Sequence, residues 1–127
     1  MDNQIKISTF SPLIITKKPE KTVRMFQKLG FEVRHVKELD DGIFNATLKD
    51  ANGNQIDIRE AGSKEDKDMT IIRMNVPDFD AAYELLQEDD FKIKGGHITE
   101  TESSKSAMVV SPTGFAFDLC EHIKKQK

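Results

Sequence analysis

Apolar positions along the chain follow two periods, and the succession of periods is written twice. Residues 11–16, SPLIIT, form a short β-branched run that reads as a strand. In 19–29, Pro19 suits a first helical turn, and Val23, Phe26 and Leu29 recur at helical spacing. Gly30 stands where a helix end favours positive φ. Residues 31–38, FEVRHVKE, are mostly polar and suit an edge strand, followed by the turn pair Asp41-Gly42. A third strand over 43–49, a turn at Asn52-Gly53 and a fourth strand over 55–60 complete the first set. The second set opens with a strand over 70–76. Asp78 is then an N-cap for a helix carrying Phe79, Ala82, Tyr83 and Leu86 as an apolar stripe. Strand-like stretches at 91–95 and 97–101 flank Gly95-Gly96, and 106–111 with 115–121 read as a hairpin around Pro112-Thr113-Gly114.

The two sets align residue by residue. At an offset of 60, Val23, Phe26, Phe31 and Val33 meet Tyr83, Leu86, Phe91 and Ile93. At an offset of 61, Gly53, Ile56, Asp57, Ile58 and Glu60 meet Gly114, Phe117, Asp118, Leu119 and Glu121. Two separated blocks in nearly one register identify an internal repeat, βαβββ twice. Module one covers about 9–60 and module two about 69–122. The charged stretch 61–68, AGSKEDKD, links them within one domain spanning 1–127. A ferredoxin-like βαββαβ domain is the main rival; it has four strands where this pattern gives eight, and it leaves the second block unexplained.

Composition narrows the class. With 37% hydrophobic and 32% charged residues over 127 positions, the chain suits a globular α+β domain with its own core. The net charge of −3 is dispersed, so no basic face calls for nucleic acid. The cluster Lys124, Lys125, Lys127 reads as a solvated terminus. A single cysteine, Cys120, forms no intrachain disulfide and fits a reducing compartment. MDNQIKISTF lacks a signal-like apolar stretch, and no run has membrane-spanning length. A cytoplasmic protein without membrane partners is expected.

Two motifs carry a resemblance. The strand and helix followed by Phe-x-x-Leu-Gly-Phe (Phe26 to Phe31) resemble the opening of a vicinal oxygen chelate module. Ser-Pro-Thr-Gly-Phe-Ala-Phe-Asp-Leu (111–119) resembles that superfamily's closing hairpin. Glyoxalase I, bleomycin- and fosfomycin-resistance proteins and extradiol dioxygenases share this superfamily. The resemblance covers about residues 9–122. It implies tandem βαβββ modules forming an open, barrel-like sheet, with helices on the convex side and a ligand in a concave cleft. Alternation then assigns faces. Phe115, Phe117 and Leu119 point to the helices, as do Ile56, Ile58, Ile72, Met74 and Val76. Asp57, Ile71, Arg73, Asn75, Ala116, Asp118 and Cys120 point to the cleft.

Metal-dependent members of the superfamily take His, Gln or Glu ligands at four places, which the resemblance maps onto Ser11, Asp57, Ile71 and Asp118. Serine ligates poorly and isoleucine not at all, so at most two carboxylates remain. That is too few donors for firm transition-metal binding. No metal or other cofactor is therefore expected. His35, His97 and His122 fall at none of these places and read as solvent-facing. A reactive thiolate needs a nearby cation or base, and the carboxylate of Asp118 disfavours one at Cys120, which reads as an inert cleft residue. Arg73 suits either an anionic ligand or an ion pair with Asp57 or Asp118.

The expectation is a metal-independent small-molecule-binding protein of the bleomycin-resistance type, holding its ligand in the cleft of a homodimer. Asp57, Arg73, Asn75, Met108 and Asp118 would line that cleft. A diverged glyoxalase-like metal-dependent lyase, isomerase or dioxygenase is the alternative, and a ligand-free structural copy the third.

Overall fold

A computed structural model describes residues 6–38, 43–62 and 67–122. The Asp41-Gly42 turn, linker residues 63–66 and the basic cluster at 124–127 lie outside the described residues. The chain divides into two compact units. One is Ser11–Ile71; the other joins the segment up to Phe10 with the chain from Ile72 onward.

Module one runs β1 (Thr9–Thr16), α1 (Pro19–Lys28), β2 (Glu32–Glu38), β3 (Phe44–Lys49) and β4 (Gln55–Glu60). Its strands lie in the order β2-β3-β4-β1. β1 runs parallel to β4, while β2 and β3 join antiparallel. Val23 of α1 packs on Ala46, Leu48, Ile56 and Ile58, with Ile14, Phe26, Phe31 and Phe44 around them. These strand residues alternate with polar ones because successive strand side chains point to opposite faces. The helix turns off at Gly30, whose φ of 97° lies in the left-handed region open to glycine. That turn sets Phe31 edge-on to Phe26, with ring centres 5.4 Å apart.

Module two runs β5 (Met69–Asn75), α2 (Phe79–Gln87), β6 (Lys92–Ile93), β7 (Thr99–Glu100), β8 (Ser104–Val110) and β9 (Ala116–His122). The order is β5-β9-β8-β6, with β7 also paired to β8 and β5 parallel to β9. The helical stripe behaves as expected. Phe79 and Ala82 are buried with Val76, Ala107, Val109, Phe117 and Leu119, and Tyr83 and Leu86 pack beside them.

Three expectations need correction. The strands expected at 91–95 and 97–101 shrink to two residues each around a 3-10 turn at Lys94–Gly96. Gly95 and Gly96 have φ of 62° and 67°, and extended pairing cannot pass through two left-handed residues. Phe115 is 60% exposed, because β9 begins only at Ala116, although its ring meets Phe91 at 5.8 Å. Ile72 is 39% exposed and outside the core that Met74 and Val76 join.

The two helices start differently, and the sequence says why. Asp78 accepts from Ala81 N at 3.0 Å, and Glu121 Oε1 accepts from Phe79 N at 2.7 Å. Their repeat counterparts are Lys18 and Glu60. Pro19 has no N–H to offer, so Glu60 instead accepts from Phe44 N at 3.2 Å. Asp78→Ala removes a working cap and is expected to cost about 1 kcal/mol, read as a lower urea midpoint at unchanged m. Lys18→Ala, at a position without a side-chain cap, should move the midpoint far less.

Candidate functional site

Module one places a carboxylate at full burial on the sheet face away from α1. Asp57 is 0% exposed, between Ile56 and Ile58 on β4, which point to the helix. In register it lies between Leu13 of β1 and Thr47 of β3. Ser11 Oγ donates to Asp57 Oδ2 at 2.7 Å and Thr47 Oγ1 to Oδ1 at 2.6 Å. Gln55 Nε2 adds longer contacts, 3.4 Å to the same Oδ2 and 3.5 Å to Ser11 Oγ. A buried charge is tolerable only with such donors. The hairpin before Gln55 is tied by Asp50, whose carboxylate accepts from Asn54 Nδ2, Asn54 N and Asn52 N. The Asn54 side-chain bond leads in holding Asp50 below the ordinary 3.8.

The next register row on this face holds Arg59 and Asn45, paired across β4 and β3, with Lys37 of β2 opposite Asn45. Asn45 is 7% exposed, and its Oδ1 has no hydrogen-bond partner among the described residues.

Module two gathers the residues singled out on its own sheet. Arg73, Asp118 and Met108 form one register row across β5, β9 and β8. Asn75, Cys120 and Ser106 form the next. Asp118 and Cys120 are each 5% exposed. Arg73 reaches along β9 to His122, with Nη2 3.1 Å from Nε2. A guanidinium only donates, so His122 accepts through Nε2 and carries its proton on Nδ1. Asn75 Oδ1 is a buried oxygen without a hydrogen-bond partner among the described residues. The sequence reading of His122 as merely solvent-facing missed this contact with Arg73.

A depression of about 390 Å³ lies on the helix side of module one, lined by Lys17, Lys18, Lys21, Arg24, Glu20, Glu60, Pro19 and Phe44. It shares no residue with the Asp57 face.

A metal ion at this site would depend on the donors that surround it. Ser11 spends its hydroxyl proton on Asp57, and both Asp57 oxygens accept hydroxyls. Ile71 carries no donor atom. Among the described residues, no three His, Cys, Asp or Glu side chains are grouped to hold a metal. These residues do not fit a chelated divalent ion of the kind the superfamily's metal-dependent members hold.

No family model matches the chain, and no curated protein matches it in sequence. Solved structures do. Methylmalonyl-CoA epimerase from Mycobacterium tuberculosis aligns at a TM-score of 0.70 and 16% identity, over 93% of this chain and 90% of that one. A hypothetical protein from Bacillus halodurans C-125 aligns at 0.71 and 14%, over 98% and 99%. A glyoxalase/bleomycin resistance protein/dioxygenase superfamily member from Vibrio splendidus 12B01 aligns at 0.59 and 18%, over 93% and 99%. No helix among the described residues is long and apolar enough to cross a membrane. The βαβββ order of module one, its counterpart in module two with one additional two-residue strand, and these alignments together establish an α+β chain with the fold of the glyoxalase/bleomycin resistance/dioxygenase proteins, the vicinal oxygen chelate superfamily.

Proposed function

We propose that this protein is a metal-independent small-molecule-binding protein, cytoplasmic and homodimeric, whose ligand lies against the helix-free sheet faces. Asp57, Arg73, Asn75, Met108 and Asp118 are its binding residues. One observation carries the reading: Ser11 and Thr47 hydroxyls occupy both oxygens of Asp57 at 2.7 and 2.6 Å. A cation at Asp57 would have to displace them and leave buried donors unpaired. The fold is compatible with this role, since proteins that share it include both binding proteins and enzymes.

The test is elemental analysis of the purified protein after dialysis, with light scattering on the eluted peak. Less than a tenth of an equivalent of Ni, Zn, Fe or Mn is expected, on the order set by weak two-carboxylate sites, in a dimeric peak. A metabolite panel should contain compounds that raise the melting temperature equally with and without chelator. Stoichiometric metal held through dialysis would overturn the reading.

A diverged metal-dependent lyase, isomerase or dioxygenase is the second reading. It draws support from the alignment with an epimerase and from the Arg73–His122 contact. It requires an activity that chelator abolishes.

A further inference from the structure

Hydrogen-bond polarity narrows the ligand further. An ionised carboxylate only accepts, so Asp57 dictates the direction of every bond around it. Thr47 must give its hydroxyl proton to Oδ1, which leaves its half-buried oxygen as an acceptor only. Gln55 must turn Nε2 inward to Asp57 and Ser11, which leaves Oε1, also an acceptor, facing away. Asn45 lies two residues before Thr47 on the same face, about 7 Å along the strand. Its buried Oδ1 is a third acceptor, without a hydrogen-bond partner among the described residues. That orphaned oxygen is independent of the Asp57 cluster and has the same polarity.

The surroundings decide between a charged and a neutral donor. In register, Lys49 stands opposite Gln55, His35 opposite Thr47, and Lys37 and Arg59 on either side of Asn45. Lys49, Lys37 and Arg59 outnumber the carboxylates of the same rows, Asp57 and Glu32, and both Asp57 oxygens are already engaged, so the net field disfavours an ammonium. We infer that the Asn45, Thr47 and Gln55 acceptors of module one take the hydroxyl groups of a neutral polyol, the inverse of a metal centre that offers a cation to substrate oxygens. The inference rests on the ligand-binding reading above and concerns module one alone.

The experiment is ¹⁵N NMR on the full chain, titrated separately with myo-inositol, ethanolamine and inorganic phosphate. Myo-inositol should shift the side-chain amide signals of Asn45 and Gln55 and the Thr47 backbone amide, saturably. Ethanolamine should do so at least tenfold more weakly, and phosphate not at all. Thr47→Val and Gln55→Met should each weaken myo-inositol about tenfold, the effect of one lost hydrogen bond. Thr47→Ser, which keeps the oxygen, should bind like the parent, and melting curves confirm that each variant is folded. Absence of saturable shifts with myo-inositol, or equal binding by Gln55→Met, overturns the inference. If phosphate instead shifts Arg73 and His122, the binding reading stands and this inference falls. If no compound in this titration or in the metabolite panel binds, both fall.

Discussion

Asp57→Ala is expected to lower the unfolding free energy by about 3–5 kcal/mol, although it removes only a small side chain. Ser11 is 1% exposed and would keep a buried hydroxyl with no acceptor. Thr47 and Gln55 would lose their contacts with the same carboxylate. Each stranded buried donor costs about 1–3 kcal/mol, and the short bonds to a charged acceptor lie at the stronger end. Ser11→Ala should cost less, because Asp57 keeps Thr47 and Gln55. A variant that removes both hydroxyls with the carboxylate, Ser11→Ala with Thr47→Val and Asp57→Leu, should be more stable than Asp57→Ala alone, since only the longer, half-buried Gln55 contacts are then left unmatched. Urea unfolding of the four proteins decides it. An Asp57→Ala midpoint close to the parent's would show that the carboxylate is hydrated and that the cluster does not hold the sheet.

The same cluster shows where sequence reading reaches its limit. The alternation in QIDIR put Asp57 opposite Ile56 and Ile58, and the core confirms those two at the helix. What alternation cannot supply is the partner. Ser11 and Asp57 are 46 residues apart and meet through the parallel register of β1 and β4, which is a long-range property. Taken singly in the sequence they are candidate metal ligands; together they form a hydrogen-bonded pair. Thr47 was within reach of the sequence: Ala46 and Leu48 point to the core, so Asn45 and Thr47 point away.

Module two repeats the lesson with different physics. Helix α2 was legible throughout because its stripe, its Asp78 cap and its packing agree. The β6–β7 region was not, because two consecutive glycines open left-handed backbone that the strand pattern on either side does not reveal. Alternation put Arg73 and Asp118 on one face, but their common row with Met108 comes from the pairing of β5 with β9 and β9 with β8, which alternation does not supply. The contact of Arg73 with His122 does not follow from it. It depends on the reach of a long side chain along β9, across register rows.

Phe79→Ala is expected to cost about 3–5 kcal/mol, the range for emptying a buried aromatic site. Phe79 is 1% exposed, at the first turn of α2 and against Val76, Ala107, Val109, Phe117 and Leu119. Tyr83 packs at 6.3 Å between ring centres. Lys105 Nζ lies 5.3 Å from the ring centre while donating to Asp80 at 2.7 Å, and that hydrogen bond raises the Lys105 pKa above its usual 10.5. The loss therefore combines a cavity with a cation–π contact at a half-exposed site, the second much the smaller. Phe79→Leu, which refills part of the volume, should recover more than half of the cost. The backbone bond from residue 79 to Glu121 survives both changes. A loss confined to packing thus predicts that Glu121→Gln, which leaves the ring in place, destabilises far less than Phe79→Ala. Native-state hydrogen exchange locates the effect: amides of β8 and β9 should lose protection most, because Ala107, Val109, Phe117 and Leu119 form the other wall of the site. Uniform loss of protection along the chain, with β8 and β9 no worse than β3 and β4, would contradict a local cavity in module two.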